Sequence, residues 1–139
     1  MKKAAIIYRS KRGTTRAFAE AVAEFFKSRG IGARALSVED AQPQDFADVE
    51  YLLLGCWTSG HFLLFQHPDK PWTSFARTLP ALAARKIGLF TTYKIATGGM
   101  FKKMAACLGD KSARVSLELK SRNRRLSEDH RRSLDAFLK

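Results

Sequence analysis

The sequence predicts an α/β domain built on one parallel sheet with helices on both faces. Apolar runs alternate with amphipathic ones along the whole chain, the alternation expected of strand–helix–strand units. The run ending at Gly55 is continuously apolar, as strands buried on both faces are. At 139 residues, with 45% hydrophobic residues and 10 phenylalanines, the chain has single-domain length and enough apolar material for one core without disulfide or metal staples. Residues 1–139 are therefore read as one domain.

The elements follow in order. KAAIIY reads as a buried first strand. TTRAFAEAVAEFFKSRG places Phe18, Val22, Phe25 and Phe26 at helical spacing and closes at Gly30, where glycine accepts the left-handed cap conformation. ARALSV is a weaker second strand and DVEYLLLG a third. PWTSFARTLPALAA predicts a helix broken or re-entered at Pro80, and RKIGLFTT a fourth strand. GGMFKKMAACLG gives a short helix with Met100 and Met104 in the core, and ARVSLEL a fifth strand. SEDHRRSLDAFLK ends the chain as a helix with Ser127 as N-cap and acids in its first turn, where they oppose the positive end of the helix dipole.

Charge and cysteine content narrow the classes. With 25 Lys and Arg against 13 Asp and Glu, the formal charge is +12, so anionic partners are favoured. The bases are scattered, although KSRNRR and HRR concentrate them near the C-terminus; a solvated basic face explains this better than a nucleic-acid surface. No apolar stretch approaches the roughly 20 residues of a membrane span. The basic start MKKAAIIYRSK has too short an apolar run for a secretion signal and reads as strand. Cys56 and Cys107 lie far apart with no CxxC, which suits a reducing cytoplasm and argues against a metal site. His67 and His130 have no acidic or cysteine partners at ligand spacing and are expected at the surface.

In open parallel sheets, ligands sit beyond the carboxyl ends of the strands, where the strand order switches. The loops there are SKRGTT after strand 1, CWTSGHF after strand 3 and TTYKIATGG after strand 4. All carry hydroxyls, aromatics or glycine, and none carries an acid. A phospho-accepting receiver is excluded because Arg9, Ser10 and Cys56 occupy the places of its acids. A low-molecular-weight tyrosine phosphatase would need a cysteine nucleophile near Ser10. The first loop also lacks GxGxxG and GxxxxGK[ST].

The first loop resembles the phosphate loop of flavodoxins, (S/T)-x-(S/T)-G-x-T, reading Ser10-Lys11-Arg12-Gly13-Thr14-Thr15 with Arg12 in place of a hydroxyl residue. LLLGCWTSGHF is similar to the family's second flavin loop, and GLFTTYKIATGG stands where the third would. The resemblance covers essentially the whole chain. It implies a three-layer sandwich with a five-stranded parallel sheet in the order 2-1-3-4-5, noncovalent FMN and electron transfer.

Carried onto this sequence, the resemblance implies that Ser10, Thr14 and Thr15 and the N–H groups around Gly13 cradle the FMN phosphate. Lys11 and Arg12 either face solvent or clamp the phosphate or a phosphorylated partner. Trp57, His61, Phe62 and Tyr93 are candidate ring walls, with Trp57 and Tyr93 preferred. Thr58, Ser59, Gly60, Thr91, Thr92, Gly98 and Gly99 complete the expected site. The peptide joining Gly60 to His61 matches the one that, in the family, turns over to meet the flavin N5 proton. Residues 62–72 are expected to cap the flavin or form a docking patch. The implied role is a cytoplasmic carrier between a reductase and a redox partner, the partner being acidic because this chain is basic. The alternatives are an FMN-dependent oxidoreductase acting on a quinone or protoporphyrinogen, and a binding module without cofactor.

Overall fold

The computed structural model describes residues 2–61, 64–80 and 84–139, apart from the side chains at 60, 61 and 64. Among the described residues seven strands follow in chain order: β1 (Lys3–Arg9), β2 (Gly32–Ser37), β3 (Tyr51–Trp57), β4 (Ser59–His61), β5 (Leu64–His67), β6 (Lys86–Thr92) and β7 (Val115–Ser121). β2, β1, β3, β6 and β7 form one sheet in that order, every pair parallel. Counted without the β4–β5 pair, this is the expected order 2-1-3-4-5.

Alternation along the strands feeds two cores. Ile6 and Leu53 face one layer, with Phe18, Val22 and Phe26 of α1 (Thr14–Ser28) and Leu134 and Phe137 of α5 (Glu128–Phe137). Ile7, Leu52 and Leu54 face the other, with Phe46 of α2 (Pro43–Phe46), Trp72 of α3 (Lys70–Arg77) and Met100 and Met104 of α4 (Met100–Leu108). Both methionines are fully buried, as expected. Among the described residues, no helix is long and apolar enough to cross a membrane.

Three boundaries differ from the sequence reading. β3 does not stop at Gly55 but runs on to Trp57. Gly55 pairs in register with Phe90, and a Cβ there would stand 2.0 Å from the Phe90 ring. The glycine is a spacer that lets Phe90 lie across β3, where its ring packs 5.7 Å from that of Phe18. The helix expected over 71–84 spans Lys70–Arg77, ending short of Pro80, whose ring disfavours helical backbone in the residue before it; the expected continuation includes 81–83, outside the described residues. The connector over 62–72 holds β5 and the start of α3, with Phe62 and Leu63 outside the described residues.

His130 does more than face solvent. It is half-buried, its ring meets Phe18 edge-on at 5.2 Å, and Nδ1 accepts from the Ser127 N–H at 3.0 Å. With Nδ1 accepting, Nε2 carries the proton and donates to the Lys120 carbonyl at 2.8 Å. Ser127 Oγ in turn accepts from the His130 N–H at 3.1 Å, closing a reciprocal cap at the start of α5.

Gly55→Ala is expected to destabilise the fold by about 1–3 kcal/mol through overpacking, since its methyl would overlap a ring held between β3 and α1. Urea denaturation measures it. Gly55→Ala combined with Phe90→Leu should recover part of the loss, and a single variant as stable as the parent would contradict this role for Gly55.

Candidate functional site

At the carboxyl edge of the sheet, β1 passes into α1 through Ser10–Gly13. Gly13 adopts φ +94°, a left-handed conformation that favours glycine. Its N–H donates to Ser10 Oγ at 3.0 Å, which folds the loop back on itself. No side chain caps α1 and its first turn holds no acid, so the N–H groups of that turn remain open toward an anion.

Paired hydroxyls tie the start of α1 to the end of β6, and the end of β6 to the residue after β3. Thr15 Oγ1 and Thr92 Oγ1 lie 2.6 Å apart, with Thr15 only 1% exposed. Thr91 donates to the Cys56 carbonyl at 2.6 Å, so Thr58 is the donor in the 2.7 Å Thr58–Thr91 pair. β1, β3 and β6 are thus held in fixed relation where they end.

Between these ends lies a cleft of about 490 Å³, within the roughly 300–1,000 Å³ of small-molecule sites. Trp57 and Tyr93 supply aromatic walls, Thr14, Thr15, Thr58, Ser59 and Thr92 supply hydroxyls, and Lys11, Arg12, Lys94 and Arg122 supply positive charge. Among the described residues, none that lines the cleft is acidic. Lys11 Nζ stands 4.7 Å from the Trp57 ring centroid, and the Arg122 guanidinium 5.4 Å from that of Tyr93. A second hollow of about 590 Å³ opens at the other edge of the sheet, beside Gly30 and Tyr51. There the Arg29–Asp135 pair is already satisfied at 2.8 and 3.0 Å, and no helix begins at it.

The structure brings Lys11, Arg12, Thr14, Thr15, Trp57, Thr58, Ser59, Thr92 and Tyr93 together as expected residues of one cleft. Ser10 and Gly13 shape the loop beside it instead of lining it. Thr91 is fully buried beneath, spent on Cys56 and Thr58. Gly98 and Gly99 precede α4 and do not line the cleft. A Cβ on Gly98 would stand 2.5 Å from Gln66 Oε1, so Gly98 makes room for a wall residue. The backbone of Gly60 and His61 lies at and within β4; their side chains, like Phe62, fall outside the described residues.

Arg122 and one neighbour were not anticipated. Lys94, Ile95 and Ala96 of the loop after β6 and Gln66 of the 62–72 connector line the cleft together with Arg122. Arg122 directly follows β7, so the rule that ligands gather beyond strand ends would have reached it had it been applied to the fifth strand. The neighbour is Asp69. Its Oδ2 accepts from Trp57 Nε1 at 2.7 Å and from Arg9 Nε at 2.8 Å, and its Oδ1 accepts from the Trp72 backbone N–H at 3.2 Å. The surroundings of the cleft are therefore not purely basic. The signal was Asp-Lys-Pro, an N-cap residue with proline just inside the helix.

Asp69 also faces Cys56, whose Sγ lies 3.8 Å from Oδ1. Burial pushes the Cys56 thiol well above its ordinary range, so it stays protonated and unreactive. Cys107 is half-buried. At pH 8, Ellman's reagent should label Cys107 in a fast phase and reach Cys56 only on unfolding; two equally fast thiols would contradict the packing described for β3.

The family model described as Flavodoxin matches residues 6–120. A flavodoxin of Megasphaera elsdenii is 31% identical over 93 residues, 67% of this chain and 66% of that protein, so the match spans slightly less than two thirds of the relative's length. Among solved structures, a short-chain flavodoxin associated with a non-canonical PDU bacterial microcompartment is similar with a TM-score of 0.75 at 14% identity, over 99% of this chain and 94% of that one. The K13G variant of Fusobacterium nucleatum flavodoxin bound to flavin mononucleotide is similar with a TM-score of 0.62 at 17% identity, over 84% and 68%. At those identities the two structures speak for the fold alone.

Proposed function

The chain belongs to the flavodoxin family, and from that premise we propose that it binds FMN in the cleft between β1, β3 and β6 and serves as an electron carrier for an acidic protein partner. The observation that carries the reading is the conjunction of an uncapped, acid-free α1 N-terminus with two aromatic walls in one cleft. The donor set suits both halves of the cofactor. Hydroxyls and helix N–H groups suit a phosphate dianion, and Trp57 and Tyr93 suit a flat, polarisable ring. FMN supplies the electron chemistry when bound.

The protein's own residues bind, orient and exclude. Thr92 holds the Thr15 hydroxyl at the phosphate end. Thr58, whose hydroxyl donates its hydrogen bond to Thr91, turns only acceptor capacity toward the cleft. Lys11, Arg12, Lys94 and Arg122 make the cleft mouth positive, which favours an anionic cofactor and steers acidic partners toward it. Ile95, 48% exposed on the cleft wall, and Phe65, 72% exposed on β5, add apolar surface near the same edge. A partner presenting acids around an apolar centre matches this combination.

Thr15→Val tests the phosphate site. A hydrogen bond to a charged group is worth roughly 1.5–3 kcal/mol, so FMN affinity, read by quenching of flavin fluorescence, should fall about 10- to 100-fold. Riboflavin, which has no phosphate, should lose much less. Equal losses for both would remove Thr15 from that role.

The partner reading predicts strong salt dependence. The association rate with an acidic redox protein should fall steeply as the Debye length shrinks from about 30 Å at 0.01 M to about 8 Å at 0.15 M. Stopped-flow measurement with the unsubstituted protein and a Lys94→Gln variant checks it. A rate indifferent to ionic strength would exclude the basic cleft mouth as the docking face.

A further inference from the structure

Asp69 lies outside the cleft lining, yet it makes direct hydrogen bonds to the wall. One oxygen, Oδ2, accepts from both the Trp57 indole N–H and Arg9 Nε; the other caps α3 at the Trp72 N–H. Arg9 is itself held from the far side by Glu39 at 2.6 Å. The carboxylate therefore joins the end of β1, the end of β3 and the start of α3. Its side chain is only 12% exposed, so its bonds to Trp57 and Arg9 compete little with water. The other tryptophan behaves differently. Trp72 Nε1 is buried without a hydrogen-bond partner, so Trp57 is the indole that this carboxylate selects.

Resting on the FMN reading above, we propose that Asp69 is a positioning residue for the flavin site, holding the Trp57 indole by its N–H in the orientation that walls the ring, with Arg9 as counter-charge. An aromatic wall stacks well only at a defined tilt and offset. An indole with free χ angles would have to be ordered on binding, at a cost in affinity. A charge-assisted bond at the N–H edge fixes that orientation before the ligand arrives. It leaves the indole faces free for stacking and for Lys11, which already lies over the ring.

Asp69→Asn isolates the effect. Asparagine is as good an N-cap as aspartate, so α3 keeps its start. The amide, however, places an NH2 group where one oxygen stood. If it replaces Oδ2 it faces two donors, Trp57 Nε1 and Arg9 Nε; if flipped, it faces the Trp72 N–H. Trp57→Phe removes the N–H and keeps an aromatic wall.

The test is a double-mutant cycle on FMN affinity, with thermal unfolding of each apoprotein and visible circular dichroism of each bound flavin read alongside. Asp69→Asn should weaken FMN about tenfold in the parent, change the flavin dichroism, and cost less than about twofold in the Trp57→Phe background. Equal losses in both backgrounds would overturn the proposal, since Asp69 would then act on stability or charge and not through Trp57. Failure of the unsubstituted protein to bind FMN would overturn the FMN reading itself, a distinct result. A measurement independent of any variant is amide-type exchange of the indole N–H. Trp57 Nε1–H should exchange slowly with solvent before and after FMN is added, and fast exchange in the unliganded protein would overturn the proposal.

Discussion

Burying a parallel sheet on both faces dictates where this protein can do chemistry. Ile6, Ile7, Leu52, Leu53 and Leu54 are all fully buried, and the strands spend their backbone hydrogen bonds on each other. Side chains along the strands are committed to one core or the other. Polar groups with unused capacity therefore gather where the strands end. Because the pairs are parallel, the ends of β1, β3 and β6 share one edge, and because β1 lies between β2 and β3 the loops on its two sides part there. The cleft is the gap this leaves.

What fills the gap electrostatically is positive but not uniform. Lys11, Arg12, Lys94 and Arg122 surround the opening, with no acid among the described lining residues. Such a field favours anions, both the phosphate and a reduced, negatively charged ring. Behind the wall, Arg9, Asp69 and Glu39 form a chain of ion pairs at 2.8 and 2.6 Å. Hydrogen bonding to Asp69 raises the Arg9 guanidinium's pKa further, so Arg9 stays charged. The two groupings serve different ends: the bases at the mouth set long-range attraction, while the paired charges behind Trp57 act over bonding distance.

The layers and the strand order were legible because strong periodicities carry them. Phe18, Val22 and Phe26 mark the buried face of α1, and all are fully buried. The first loop was legible because Gly13 and its flanking hydroxyls form a local pattern. Three features were not legible for a common reason: each depends on a contact across the fold. Gly55 reads as a strand end until Phe90 is known to lie beside it. Thr91 reads as a site hydroxyl until its bond to Cys56 is seen. Asp69 lies 12 residues from Trp57 and 60 from Arg9, separations at which a sequence pattern says nothing about pairing. Local signals place elements; side-chain networks that tune a site come from their assembly.

The most direct test of the account is an amide shift map in which FMN is titrated into isotopically labelled protein. The account predicts the largest changes at Gly13, Thr14 and Thr15, at the Trp57 indole, and at Tyr93 to Ala96, with the hollow by Gly30 and Tyr51 unaffected. Changes centred on that far edge, or none at the α1 N-terminus at saturating FMN, would contradict it.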